Sequence, residues 1–181
     1  MTKLAYSDIK ELISEDKIQT RIKELGRELN KLYHGEDVCV ICVLKGSVMF
    51  AADLVREFDF PATLEFIRLS SYGNSTTTSG KVHAIDIKLP ILNGKNVLIV
   101  EDIIDTGLTA KFLLDFISSN FKTKSTKFIS LLNKNIARKV DIEPDYYGFE
   151  IDDKFVVGCG LDYEGYFRNL KYIGYIDTDI L

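Results

Sequence analysis

"VLIVEDIIDTG", residues 97–107, sets four apolar residues directly against two adjacent acids, then two more apolar residues, then Asp-Thr-Gly. The leading run is short, aliphatic and β-branched, and reads as a strand. "LTAKFLLDFISSN" (108–120) follows, with Phe112, Leu113, Phe116 and Ile117 on one side, and reads as a helix. The two acids, Glu101 and Asp102, are expected at the end of the strand, and Asp105-Thr106-Gly107 at the entry to the helix.

The alternation continues outward in both directions. Upstream, "SEDKIQTRIKELGRELNKLY" (14–33) spaces Ile18, Ile22, Leu25, Leu29 and Leu32 as the apolar face of a helix, with Ser14 as its N-cap. "VCVICVLKG" (38–46) reads as a strand buried on both faces, "SVMFAADLVREF" (47–58) as a helix and "ATLEFIRL" (62–69) as a strand. Downstream, "STKFISLLNK" (125–134), "DYYGFEI" (145–151), "KFVVGCG" (154–160) and "YIGYI" (172–176) are strand candidates. Alternating strands and helices predict an α/β fold with a mainly parallel, twisted sheet flanked by helices. Ligands of such sheets bind beyond the carboxyl ends of the strands. The 181 residues show no internal repeat or boundary, so one domain over 1–181 is expected.

Composition narrows the function. With 46% hydrophobic and 28% charged residues and a net charge of -4, the chain lacks the overall basic balance that drives nucleic-acid binding. "MTKLAYSDIK" has no apolar signal-peptide core, and the longest apolar run, "VCVICVL", is too short to span a bilayer. A cytoplasmic protein with no membrane or nucleic-acid partner is expected. Cys39 and Cys42 have C-x-x-C spacing, but residues three apart on a strand point to opposite faces, so they read as inert buried thiols. His34 and His83 are isolated, without metal-ligand spacing.

The turn at 105–109 offers backbone N–H groups, the hydroxyls of Thr106 and Thr109, and a glycine that permits close approach. A helix N-terminus of this kind holds a phosphate. Paired acids above it would repel a bare phosphate, but they suit a ligand that also brings hydroxyls or a divalent cation. A phosphorylated sugar with vicinal hydroxyls and Mg²⁺ supplies all three. The plainer reading makes Glu101 and Asp102 solvated loop acids and Asp105 a helix cap.

"VLIVEDIIDTGLT" resembles the phosphoribosyl pyrophosphate (PRPP) signature of the type I phosphoribosyltransferases, and more narrowly their hypoxanthine-guanine branch. "VLKGS", "FIRLSSYGNSTTTSG", "PDYYGFEI" and "DKFVVGCGLDYEGYFR" extend the resemblance in the family's order from about Val38 to Arg168. It implies the type I phosphoribosyltransferase fold, with a small hood region over the active site. It also implies Mg²⁺-dependent transfer of the 5-phosphoribosyl group from PRPP to a 6-oxopurine, releasing pyrophosphate and a nucleoside monophosphate. Family analogy gives a homodimer or homotetramer.

The resemblance also implies roles. Asp105, Thr106, Gly107, Leu108 and Thr109 would cradle the 5-phosphate, and Asp105 would be the acid-base residue near N7 of the purine. Glu101 and Asp102 would accept from the ribose hydroxyls and help place Mg²⁺, with Asp162 serving a second Mg²⁺ beside the purine. Lys45-Gly46, in a Leu-Lys-Gly turn that carries a cis peptide in the family, and Arg168 would hold pyrophosphate. Lys134 would donate to O6 of the base, Phe155 would stack on it and the Val156 backbone would read its edge. Ser71 and Tyr72 would form the base of a lid, "SSYGNSTTTSG". "NKNIAR" departs from the family by lacking the Arg and Pro that often follow the lysine. Two rivals remain: a phosphoacceptor receiver domain, for which too little chain follows Asp102, and a non-catalytic PRPP- or nucleic-acid-binding regulator on the same scaffold.

Overall fold

The computed structural model describes residues 4–71, 82–86 and 89–177. A short 3-10 turn (Tyr6–Asp8) and strand β1 (Lys10–Ile13) precede helix α1 (Glu15–Leu32). Strand β2 (Val38–Leu44), helix α2 (Val48–Val55), strands β3 (Ala62–Ser71), β4 (Val82–Asp86) and β5 (Asn96–Ile104), and helix α3 (Leu108–Asn120) follow. Strands β6 (Ser125–Asn133), β7 (Tyr146–Glu150), β8 (Phe155–Val157) and β9 (Ile173–Ile176) complete the order.

Six strands form one sheet in the order β4-β3-β2-β5-β6-β7. Five of them run parallel, and β4 pairs antiparallel with β3 at the edge. The register aligns Val38 with Asn96 and Asn96 with Ser125, so the amino ends of β2, β5 and β6 are level.

Alternation along the strands sorts the core into two layers. Val38, Val40, Cys42, Leu98 and Val100 face α1 and α2, where they meet Ile22, Leu25, Phe50 and Leu54. Cys39, Ile41, Val97 and Ile99 face α3, against Ala110, Leu113 and Ile117. The cysteines of the C-x-x-C spacing thus lie in different layers, and all three cysteines are unbridged. Ser14 caps α1, its hydroxyl accepting from the Lys17 amide at 3.5 Å. Leu32, assigned from spacing to the apolar face of α1, is 44% exposed, and Tyr33 turns inward in its place. That face ends one turn earlier because the helix terminates at this residue.

The expected hood is a separate antiparallel sheet in the order β1-β9-β8. Its own small core is Ile9, Val157, Phe167 and Ile176. The stretch "KFVVGCG" is a strand only through Val157; Gly158, Cys159 and Gly160 follow in a turn with positive φ. This turn rests on the loop after β2: a Cβ at Gly160 would lie 1.9 Å from the Gly46 carbonyl oxygen. Gly160→Ala adds both that clash and the cost of φ +100, so it is expected to destabilise the chain by about 1–3 kcal/mol. Thermal unfolding checks this, and an unchanged melting temperature would contradict the contact.

Candidate active site

Strand β5 does not stop at the acids. Pairing with β6 continues through Ile103–Leu132 and Ile104–Asn133, so Glu101 and Asp102 lie inside the strand rather than at its end. Continued pairing draws Glu101 into the sheet, where it is 7% exposed. Burial pushes its carboxyl well above the usual range, and the charge of Asp102 adds to the shift. Asp102 is pushed up to about 6 by burial and by Asp162, against the pull of backbone N–H groups and Arg168. One of those backbone donors is the Ile103 amide, which donates to Asp102 Oδ1 at 3.0 Å. The reading of solvated loop acids is excluded.

Three segments converge on Asp102. The first is the loop after β2, where Leu44–Lys45 is a cis peptide and Lys45 is exposed. Buried Ser47 ties this loop back, its hydroxyl donating to the Val43 carbonyl at 2.6 Å. Gly46 touches Asp102 so closely that a Cβ would fall 1.5 Å from Oδ2. The second is the turn after β8. Arg168 Nη1 donates to the Gly160 carbonyl at 2.6 Å, and Nη2 pairs with Asp162 Oδ1 at 2.6 Å. The Gly165 amide donates to Asp162 Oδ2 at 2.7 Å. The third is α3, through Thr109. Together Lys45, Gly46, Glu101, Asp102, Thr109, Asp162 and Arg168 line a cleft of about 250 Å³ at the carboxyl edge of the sheet. A cavity of about 530 Å³ is larger, but it opens at the amino ends of β2, β3 and β5, away from this chemistry.

The turn before α3 leaves the helix N-terminus without a side-chain cap among the described residues. Gly107, at φ +79, is the N-cap. A left-handed cap suits glycine. Thr106 Oγ1 accepts from the Leu108 amide at 3.4 Å. The first turn holds no acid, and the first amides of a helix have no intrahelical partner. Asp105 is therefore not the cap. Its Oδ1 is buried without a hydrogen-bond partner among the described residues.

On the other side lie the residues expected to meet a base. Lys134 is not an exposed lysine: its side chain is 12% exposed and pairs with Asp153 at 2.6 Å. Its amide donates to the Ile104 carbonyl at 2.9 Å, fastening it beside the turn before α3. Phe155 is 39% exposed at the start of β8 and meets Tyr163 edge-on at 5.8 Å, while Val156 is buried. Ser71 ends β3 opposite Val82, and Tyr72 lies outside the described residues.

The three expected metal ligands do not form a ready cage. Among the described residues no group of three or more His, Cys, Asp or Glu could hold an ion, and Asp162 is turned to Arg168. Sequence reading also passed over two residues. Asp153 pairs Lys134, and Arg138 packs against Gly107. Their only signal was charge on a short irregular segment. Among the described residues no helix is long and apolar enough to cross a membrane.

A model of the phosphoribosyl transferase domain matches residues 8–164. The chain is 47% identical over 165 residues to the hypoxanthine-guanine phosphoribosyltransferase of Bacillus subtilis, covering 91% of each. It belongs to the phosphoribosyltransferases, in their hypoxanthine-guanine branch. It is also 46% identical over 176 residues to the bifunctional protein TilS/HprT of Listeria monocytogenes, where it spans 97% of its own length but 27% of that protein. A crystal structure of a Staphylococcus aureus hypoxanthine phosphoribosyltransferase superposes with a TM-score of 0.91 at 39% identity, covering 99% of this chain and 98% of that one. The phosphoribosyltransferase fold thus accounts for the sheet, the flanking helices and the hood together.

The buried acids give this phosphoribosyltransferase a pH signature. A carboxyl raised on folding binds its proton more tightly in the folded than in the unfolded chain. Stability is therefore lost as pH rises from the ordinary carboxylate value through about 6, the value for Asp102. In metal-free, unliganded protein, Asp102→Asn is expected to raise the melting temperature at pH 8, with the gain shrinking toward pH 5. A gain equal at both pH values, or a loss at pH 8, contradicts this.

Proposed function

We propose that this chain transfers the 5-phosphoribosyl group of PRPP to hypoxanthine, and to guanine, giving IMP or GMP and pyrophosphate in a purine-salvage reaction. The observation that carries the reading is the meeting of two seats across one turn. The amides and hydroxyls of 105–109 lie beside a cleft where Lys45, Arg168 and the acids of β5 converge. An anion seat, hydroxyl acceptors and cationic donors at that spacing suit a sugar carrying phosphate at one end and pyrophosphate at the other.

Each residue has work in that reaction. The 5-phosphate sits on the N–H groups of the turn and on Thr106 and Thr109. Glu101 and Asp102 accept from the ribose hydroxyls. Breaking the anomeric carbon–oxygen bond builds positive charge on the ribose and negative charge on the departing pyrophosphate. Lys45 and Arg168 meet the latter, the planar guanidinium matching phosphate oxygens. The unpartnered Oδ1 of Asp105 is available to take the N7 proton or to steady the ring as it reacts. Lys134 donates to O6 of the base. A 6-amino group would face it donor to donor, which disfavours adenine. Phe155 stacks on the ring and the Val156 backbone reads its edge.

The donor set fits Mg²⁺. Glu101 is buried next to half-buried Asp102, whose charge adds to the upward shift of the Glu101 carboxyl, and magnesium is commonly held by one or two carboxylates together with substrate phosphates. Glu101 and Asp102 would help place it, and Asp162, released from Arg168, would serve a second ion; when bound, the metal neutralises pyrophosphate charge. The reading takes 1–181 as one phosphoribosyltransferase unit, working as a homodimer or homotetramer in the cytoplasm.

A spectrophotometric assay with PRPP, Mg²⁺ and hypoxanthine is expected to show IMP formation. A chain that binds PRPP yet releases no pyrophosphate would instead be a regulator. Asp105→Asn is expected to fold normally and to lower kcat by about 10²-fold or more. Unchanged turnover would remove Asp105 from acid-base chemistry. Lys134→Ala is expected to raise the KM for hypoxanthine by about tenfold or more, with a smaller change for PRPP. Untouched hypoxanthine kinetics would remove the O6 contact.

A further inference from the structure

Arg138 is a buried arginine with much of its hydrogen-bonding capacity unused. Its side chain is 12% exposed. Nη2 donates to Asn133 Oδ1 at 2.5 Å and to Asn135 Oδ1 at 3.0 Å, and lies 3.6 Å from Glu143. Nε and Nη1 are buried without a partner among the described residues. A guanidinium cannot shed its proton, so unmade N–H bonds out of contact with water raise the energy of the unliganded chain.

The unused side of Arg138 lies against the phosphate seat. A Cβ at Gly107 would be 3.2 Å from Arg138 Cδ and 3.6 Å from Nη1. The same segment is strapped to that turn by the Lys139 amide, which donates to the Thr106 carbonyl at 2.9 Å. Resting on the phosphate reading above, we propose that Arg138 is a positioning residue of the 5-phosphate subsite. Asn133 and Asn135 hold it by Nη2. Its fixed charge then lies next to the Gly107 peptide, where it steadies a dianionic phosphoryl group on the turn and locks that turn to the Lys134 segment. Binding the anion repays a cost that the empty turn carries, and that is the source of the preference for the phosphorylated ligand.

The test uses the full chain, with ribose 5-phosphate as the calorimetric probe and steady-state kinetics alongside. Arg138→Met keeps the packing volume and removes the charge and donors. It is expected to weaken ribose 5-phosphate binding and raise the KM for PRPP by about tenfold, with a much smaller change in the KM for hypoxanthine. Its unliganded melting temperature is expected to stay level or rise, because unmade buried bonds disappear. Arg138→Lys is expected to recover part of the phosphate affinity. Wild-type phosphate affinity in Arg138→Met overturns the proposal, as does a lower unliganded melting temperature with both KM values raised alike. Absence of ribose 5-phosphate binding by the wild type would instead overturn the phosphate reading itself.

Discussion

Two carboxylates side by side in the central strand of a parallel sheet are the constraint to which the surrounding structure answers. Glu101 is buried and Asp102 is pressed against Gly46, with the cationic Arg168 near enough to lower its pKa. Burying charge without full pairing is costly, and folded chains keep such groups mainly where a ligand uses them. The cost is carried by the packing of the same strand. Val97, Leu98, Ile99 and Val100 are completely buried between the α1–α2 layer and α3. With both faces occupied, the strand cannot slip register to bring the acids into water.

The rest of the site is arranged around that strand by backbone contact more than by side-chain bonding. The loop after β2 approaches Asp102 through a residue without Cβ, and the turn after β8 approaches that loop through another. Arg168 joins the turn to itself through Gly160 and Asp162. The Lys134 segment is hydrogen-bonded to the turn before α3 at Ile104 and at Thr106. The pyrophosphate, ribose, phosphate and base contacts of the proposed reaction thus rest on one connected framework. Pre-set geometry of this kind lowers the entropic barrier to joining two bound reactants.

Much of this was legible in the sequence. The alternating apolar runs gave the strands and helices because a strand buried on both faces reads as a continuous apolar run. The signature at 97–109 and the stretches in family order pointed to Lys45, Gly46, Glu101, Asp102, Thr109, Asp162 and Arg168, which line one cleft. What was not legible has a physical cause in each case. That β5 continues past Glu101 depends on its pairing with β6, which no local pattern encodes. That Leu32 faces outward depends on where α1 meets the end of its packing face. Lys134 pairing with Asp153, and Arg138 packing against Gly107, are contacts between segments whose residue types are ordinary surface types. The short strand β1, which builds the hood with β9 and β8, was missed because four residues carry too little periodicity to show.

The central claim is that the turn before α3 seats the phosphoryl group of a sugar phosphate while the β5 acids face the sugar hydroxyls. A crystal structure of the chain with IMP tests it most directly. The account requires the phosphoryl oxygens within hydrogen-bonding distance of the amides of residues 106–109 and of the Thr106 and Thr109 hydroxyls, with the ribose hydroxyls on Glu101 and Asp102. A nucleotide bound with its phosphoryl group away from that turn would contradict it.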